Sequence, residues 1–224
     1  MKILFGILVA CLLAGSVFAI SGATNTSAQA NYRWSGNSTL GASATTQGGN
    51  ISSLNIGEAQ LTSKWASFFG NVSGTIRLSD TQAGSAVYVW AYSAANGGEV
   101  CVSTASTFPS GAPTNASSFT NFDTVFGTAI GPDNASGTFN TACPLLTLST
   151  GALTNFIAAR IQGLSTFTTC AMNASGSAAA NHAFCTNITS AGTNFNGTGA
   201  NYELIVPSTG TAGGTYYFYM ELTN

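Results

Sequence analysis

The chain has 224 residues, 45% of them hydrophobic, and a formal net charge of −2 from five basic and seven acidic side chains. Charged residues make up 5% of it, against about 25% in an ordinary soluble domain, so its surface must be built from Ser, Thr, Asn and Gly. That balance excludes nucleic acid and anionic membranes as partners recognised by charge, and a surface with so little repulsion favours association of bare molecules.

In chain order, Met1-Lys2 forms a short positive start, Ile3 to Phe18 an apolar run, and Val17-Phe18-Ala19 a small-residue cleavage site. Residues 1–19 therefore read as a secretory signal peptide cut after Ala19. The run is shorter than the roughly 20 apolar residues a spanning helix needs, and no direct membrane span is expected after cleavage. Ser16 stands where a lipoprotein would carry its acylated Cys. Residues 20–49 form a polar N-terminal arm with one aromatic knot at Tyr32-Arg33-Trp34. Its composition suits either a linker or an extended arm that pairs with a neighbouring subunit.

Residues 50–224 carry the strand signals. Gly70 to Leu78 alternates, with Val72, Ile76 and Leu78 on one side, and predicts a half-buried antiparallel strand. Ala86 to Tyr92 predicts the next, with Ala86, Tyr88, Trp90 and Tyr92 at alternate positions, and Trp65, Phe68, Phe69, Tyr88, Trp90, Tyr216, Tyr217, Phe218 and Tyr219 are expected mostly in the core. Asn96-Gly97-Gly98 is a turn signal before a strand over Glu99 to Ser103. Residues 117–126 place Phe119, Phe122 and Phe126 at helical spacing behind Ser117 as a cap, and read as a short helix or an aromatic-anchored loop. Ala158 to Met172, Phe184 to Ile188, Tyr202 to Val206 and Thr215 to Leu222 complete the strands. The expected fold is all-β: an antiparallel β-sandwich, immunoglobulin-like or jelly-roll-like, with long polar loops and an extended N-terminal arm.

Nine N-x-S/T sequons begin at Asn25, Asn37, Asn50, Asn71, Asn115, Asn134, Asn173, Asn187 and Asn196. In an exported chain each is a candidate acceptor of an N-linked glycan. The loop sequons at Asn115, Asn134, Asn173 and Asn196 are expected to be occupied more readily than Asn71, which the strand reading holds in a sheet. Cys11 leaves with the signal, and Cys101, Cys143, Cys170 and Cys185 remain, an even number suited to disulfides outside the cell. Three connectivities are open. Closing the smaller loops favours Cys170–Cys185 with Cys101–Cys143.

Little in the chain suggests catalysis. His182 is the one histidine and reads as a solvated loop residue, with no G-x-S-x-G elbow to partner it. Asp123, Asp133 and Asn134 offer oxygen ligands of the kind calcium takes, without an EF-hand pattern. No metal, no cofactor and no enzymatic activity are expected. Phe69 lies two residues before Asn71 and could stack on its first sugar if that strand face is solvated.

The segments Lys64 to Leu78 (KWASFFGNVSGTIRL), Gly98 to Cys101 (GEVC), Ser165 to Ala171 (STFTTCA), Phe184 to Ile188 (FCTNI), Asn201 to Pro207 (NYELIVP) and Thr215 to Leu222 (TYYFYMEL) resemble a family of archaeal secreted, sequon-rich cell-surface proteins. The resemblance covers most of the chain after about residue 48 and implies location more than mechanism. In architecture alone, a polar arm before a sandwich is similar to archaeal thread and bundling-pilus subunits, which assemble by donor-strand complementation. The expectation is a secreted structural subunit at the extracellular cell surface that self-associates into a homopolymer. The alternative is an adhesin or carbohydrate-binding module using an aromatic strip.

Overall fold

A computed structural model of the chain describes residues 21–22, 62–80, 84–108, 119–144, 146–148, 151–153, 157–173, 182–208 and 214–223. The expected signal peptide, nearly all of the expected arm, and the sequons at Asn25, Asn37, Asn50 and Asn115 lie outside these residues.

The strands are β1 (Ser21–Gly22), β2 (Trp65–Gly70), β3 (Thr75–Ser79), β4 (Ala86–Ala91), β5 (Gly98–Ser103), β6 (Thr141–Ala142), β7 (Leu146–Leu148), β8 (Gly151–Leu153), β9 (Ile157–Arg160), β10 (Thr168–Asn173), β11 (His182–Asn187), β12 (Tyr202–Pro207) and β13 (Tyr217–Leu222). Two short helices, α1 (Phe119–Phe126) and α2 (Ala135–Thr138), interrupt them. Every pairing is antiparallel. The main sheet has seven strands in the order β1-β13-β5-β11-β10-β9-β6, and β2–β12, β3–β4 and β7–β8 form separate two-stranded ribbons.

Both faces of the main sheet are covered at its centre. Strict alternation sends Val100 and Val102 of β5 and Phe184 of β11 to one side. There they meet Leu204 and Val206 of β12, Trp65 and Phe68 of β2, and Phe122 and Phe126 of α1. Of the two readings open for residues 117–126 the helix forms, over Phe119–Phe126, and Phe122 packs on Trp65, Phe126, Phe139 and Phe184 with ring centroids 4.9–6.3 Å apart. The opposite side gathers Cys101, Cys170, Cys185, Ala183, Tyr219 and Leu146.

Several expectations are corrected. The strand predicted over residues 70–78 is broken: β2 ends at Gly70, residues 71–74 are irregular, and β3 begins at Thr75. The break arises because Asn201 fastens the segment from the side, with its N–H on the Gly70 carbonyl at 2.8 Å and its Oδ1 accepting from Val72 N at 3.0 Å. Residues 158–172 are likewise two strands, β9 and β10, joined by a turn in which Gly163 has φ +81°. Leu78, Tyr88, Trp90 and Tyr217 are exposed rather than in the core. The Asn96-Gly97-Gly98 turn forms as read. Gly98 adopts φ +126°, and a Cβ there would sit 2.3 Å from the Glu221 carbonyl oxygen, so only glycine lets β5 start against β13.

The favoured disulfide pairing is also overturned. The bonds are Cys101–Cys185 and Cys143–Cys170, spanning 84 and 27 positions. The cause is sheet order. β11 lies between β5 and β10, so Cys185 faces Cys101 on one neighbour and Cys170 on the other. It bonds to Cys101, and Cys170 reaches back to Cys143. Cross-sheet register sets Cys101 as well as Cys170 directly opposite Cys185, an adjacency that sequence distance does not show.

Candidate functional site

The residues with a bearing on function fall into three places: a sheet edge, a set of exposed sequons and two acidic clusters. The sheet edge is β13. Its inner side pairs with β5 along its whole length, from Tyr217 opposite Ser103 to Leu222 opposite Gly98. On its outer side Ser21 pairs with Met220 and Gly22 with Tyr219. The first described residues of the arm thus add a strand to the main sheet, and they cover two of the six residues of β13. Glu221 is the one charged residue of that strand, so little electrostatic protection guards the edge.

The described sequons differ in setting. Asn71 lies in the irregular segment after β2 and is exposed, so the reading that placed it within a strand does not hold. Asn196 is exposed in the loop closed by the Thr193–Gly199 bridge, where its Oδ1 accepts from Thr198 N at 3.1 Å. Asn134 caps α2, its Oδ1 accepting from Gly137 N at 2.7 Å and from the Ser136 hydroxyl at 3.1 Å. Asn173 closes β10. Asn187 is the last residue of β11, opposite Glu99, and its Oδ1 is buried. The Phe69 ring packs edge-on against Phe195, 5.9 Å away, one residue before Asn196.

The acids are occupied structurally. Asp133 and Asp123 do not join in one site. Asp133 pairs with Lys64 at 2.6 Å and accepts from the Thr62 hydroxyl at 2.6 Å, while its carbonyl receives the Trp65 indole N–H at 2.7 Å. The Lys64 and Thr62 hydrogen bonds hold the Asp133 carboxyl below its ordinary pKa. Asp123 accepts from the Thr128 hydroxyl and from Ala135 N, tying α1 to α2. Among the described residues no three His, Cys, Asp or Glu side chains converge as a metal site would require.

Glu203 is the exception that sequence reasoning missed. It lies on β12, fully buried, and neither of its carboxylate oxygens has a hydrogen-bond partner of normal geometry. Burial pushes its pKa above the ordinary range, and the nearby Ser165 hydroxyl and Phe195 N–H draw it back only in part. A lone acid between Tyr202 and the apolar Leu204-Ile205-Val206 run reads as an outward position; the register of β12 against β2, which sets Glu203 opposite Phe69, turns it inward.

His182 is corrected too. It opens β11, buried, with its ring edge-on to Phe122 and Phe126 at 5.6 and 5.4 Å. It is a packing residue beneath α1, not a solvated loop side chain. Among the described residues no helix is long and apolar enough to cross a membrane. Comparison with family models, characterised proteins and solved structures returns no match for the chain.

Proposed function

We infer that this protein is a structural subunit of a glycosylated extracellular surface filament or coat, in which neighbours are joined by a donated N-terminal strand. The pairing of Ser21–Gly22 on the outer edge of β13 is the observation that supports the reading most directly. Residues 23–61 separate β1 from the next described segment, so a neighbour's β1 can fill the same edge with the same hydrogen bonds. Such an exchange makes a head-to-tail contact that leaves one edge and one arm free at the ends, and therefore an open polymer. Among the described residues four of the six positions of β13 have no paired strand on its outer side, which is room for a longer donated strand. Two disulfides suit an oxidising exterior, and the sparse charge and dense sequons fit an assembling, sugar-coated surface. The motifs that resemble archaeal surface proteins point the same way.

Deleting residues 20–49 tests the reading by negative-stain microscopy of the purified chain. Fibres should form from the full mature chain and vanish from the truncated one while its far-UV circular dichroism remains β-rich. Identical fibres from the truncated chain, or a full chain that stays monomeric at high concentration with its glycans intact, would falsify donor-strand assembly. The exposed Tyr88–Trp90 pair, with ring centroids 4.6 Å apart, is the one feature that favours the second reading, a carbohydrate-binding adhesin.

A further inference from the structure

The β3–β4 hairpin is where pattern and environment disagree. Its register sets Ile76 opposite Trp90 and Leu78 opposite Tyr88, so these four side chains share one face. Alternation of this kind specifies a buried face, yet Leu78 is 55%, Tyr88 58% and Trp90 48% exposed. The hairpin is firmly rooted: Tyr92 N donates to the Gly74 carbonyl at 3.1 Å and the Tyr92 ring lies in the core. Beyond that base, among the described strands, β3 and β4 pair only with each other. A lone two-stranded ribbon is marginal in water, so this face calls for a cover.

We propose that the Ile76–Leu78–Tyr88–Trp90 face docks against the same face of a second copy, as a lateral contact between subunits. Three properties select a second copy. The face carries no charged side chain, and a net charge of −2 on the whole chain sets up almost no repulsion between copies. Ala86–Ala91 reads AVYVWA, a run without Pro, Gly or charge and rich in β-branched and aromatic residues, which is the signature of strands that stack on their own kind. The area also fits. Aromatic side chains carry about 150–250 Å² each, so these half-exposed residues offer on the order of 300 Å² per copy. That falls short of the about 800 Å² per partner of a stable isolated pair, and suits a contact multiplied along a polymer. The inference rests on the assembly reading only for that multiplication, since the contact uses neither β1 nor β13. A sugar would need convergent polar groups beside the rings, and Ile76 and Leu78 stand there instead.

A benzophenone amino acid placed at position 78 of the full mature chain tests the contact, with position 87 as control on the opposite face, which carries Val89 but also Thr75 and Arg77. Val87 is 81% exposed, so reach does not limit the control. Position 78 should cross-link to residues 75–91 of a second copy, and position 87 should do so far less. Joint Tyr88→Ser and Trp90→Ser substitution should weaken self-association at least tenfold by sedimentation equilibrium, with the thermal midpoint unchanged. Cross-links from position 78 to its own chain, or a large fall in the thermal midpoint, would show that the face is covered within one molecule and overturn the proposal. Unchanged association together with lost glycan-array binding would assign the face to sugar and overturn it as well. Absence of fibres with the position-78 cross-links retained would strike the donated-strand reading and support this one.

Discussion

At the scale of single residues, Glu203 gives the clearest expectation. Its carboxyl keeps its proton in the fold at pH values where the unfolded chain, with a pKa of about 4.3, has released it. Stability from this group is therefore full below that value and declines as pH rises through the raised folded pKa, with a slope of at most about 1.4 kcal/mol per pH unit. Urea denaturation at several pH values between 3 and 8 should show the decline, and Glu203→Gln should flatten it. Asp133 works in the opposite sense: its lowered pKa adds stability that is lost as pH falls through the folded value. It is partly exposed, so its weight is small. The sequons separate by the same reasoning. Glycopeptide mass spectrometry should find Asn71 and Asn196, both exposed, more fully occupied than Asn187, whose Oδ1 is buried where β11 meets β5. Equal occupancy at all three would mean that modification precedes folding.

At the scale of elements, helix α1 acts as a lid of aromatic rings over the sheet, and Phe122 touches more rings than any other described residue of it. Phe122→Ala should cost about 3–5 kcal/mol in a chemical-denaturation measurement. Peptide mapping of the unreduced protein should recover Cys101 joined to Cys185 and Cys143 joined to Cys170. Removing the first bond as a Cys-to-Ala pair should cost about 2–5 kcal/mol. These elements also show what could be read in advance. The strands near residues 86–92, 99–103, 202–206 and 215–222 and helix α1 were legible because their apolar spacing is local and intact. The disulfides were not, because pairing depends on β11 lying between β5 and β10, a long-range fact with no local signal. The break at residues 71–74 was hidden for a related reason: alternation continues through it, and the Asn201 side chain that interrupts the ladder comes from far along the chain. His182 adjoins a polar stretch and Glu203 is a lone acid ahead of Leu204-Ile205-Val206, and strand register turns both inward.

At the scale of the whole molecule, among the described residues the main sheet is covered at its centre, β13 is paired on its outer side only at Tyr219 and Met220, and the separate β3–β4 ribbon exposes one apolar face. The alternation across Leu78, Tyr88 and Trp90 predicts the hairpin's shared face, but that face is exposed and not in the core. Native material should have an intact mass above that of the bare mature chain starting near Ile20, and titration of the unfolded, unreduced protein should find no free thiol. Two or more reactive thiols would overturn the disulfide framework.

The row formed by Cys101, Cys185 and Cys170 across three adjacent strands has a mechanical meaning. For a subunit held at β13, tension enters through the hydrogen-bonded ladder between β13 and β5 and then meets a covalent link from β5 to β11. The strands from β5 to β11 cannot peel apart, and the second bond ties β10 to the segment before β7. A pulled molecule should therefore yield first between β13 and β5, with the interior of the sheet intact. In single-molecule stretching the oxidised protein should release only the chain outside residues 101–185 at low force, and reduction should lengthen that release.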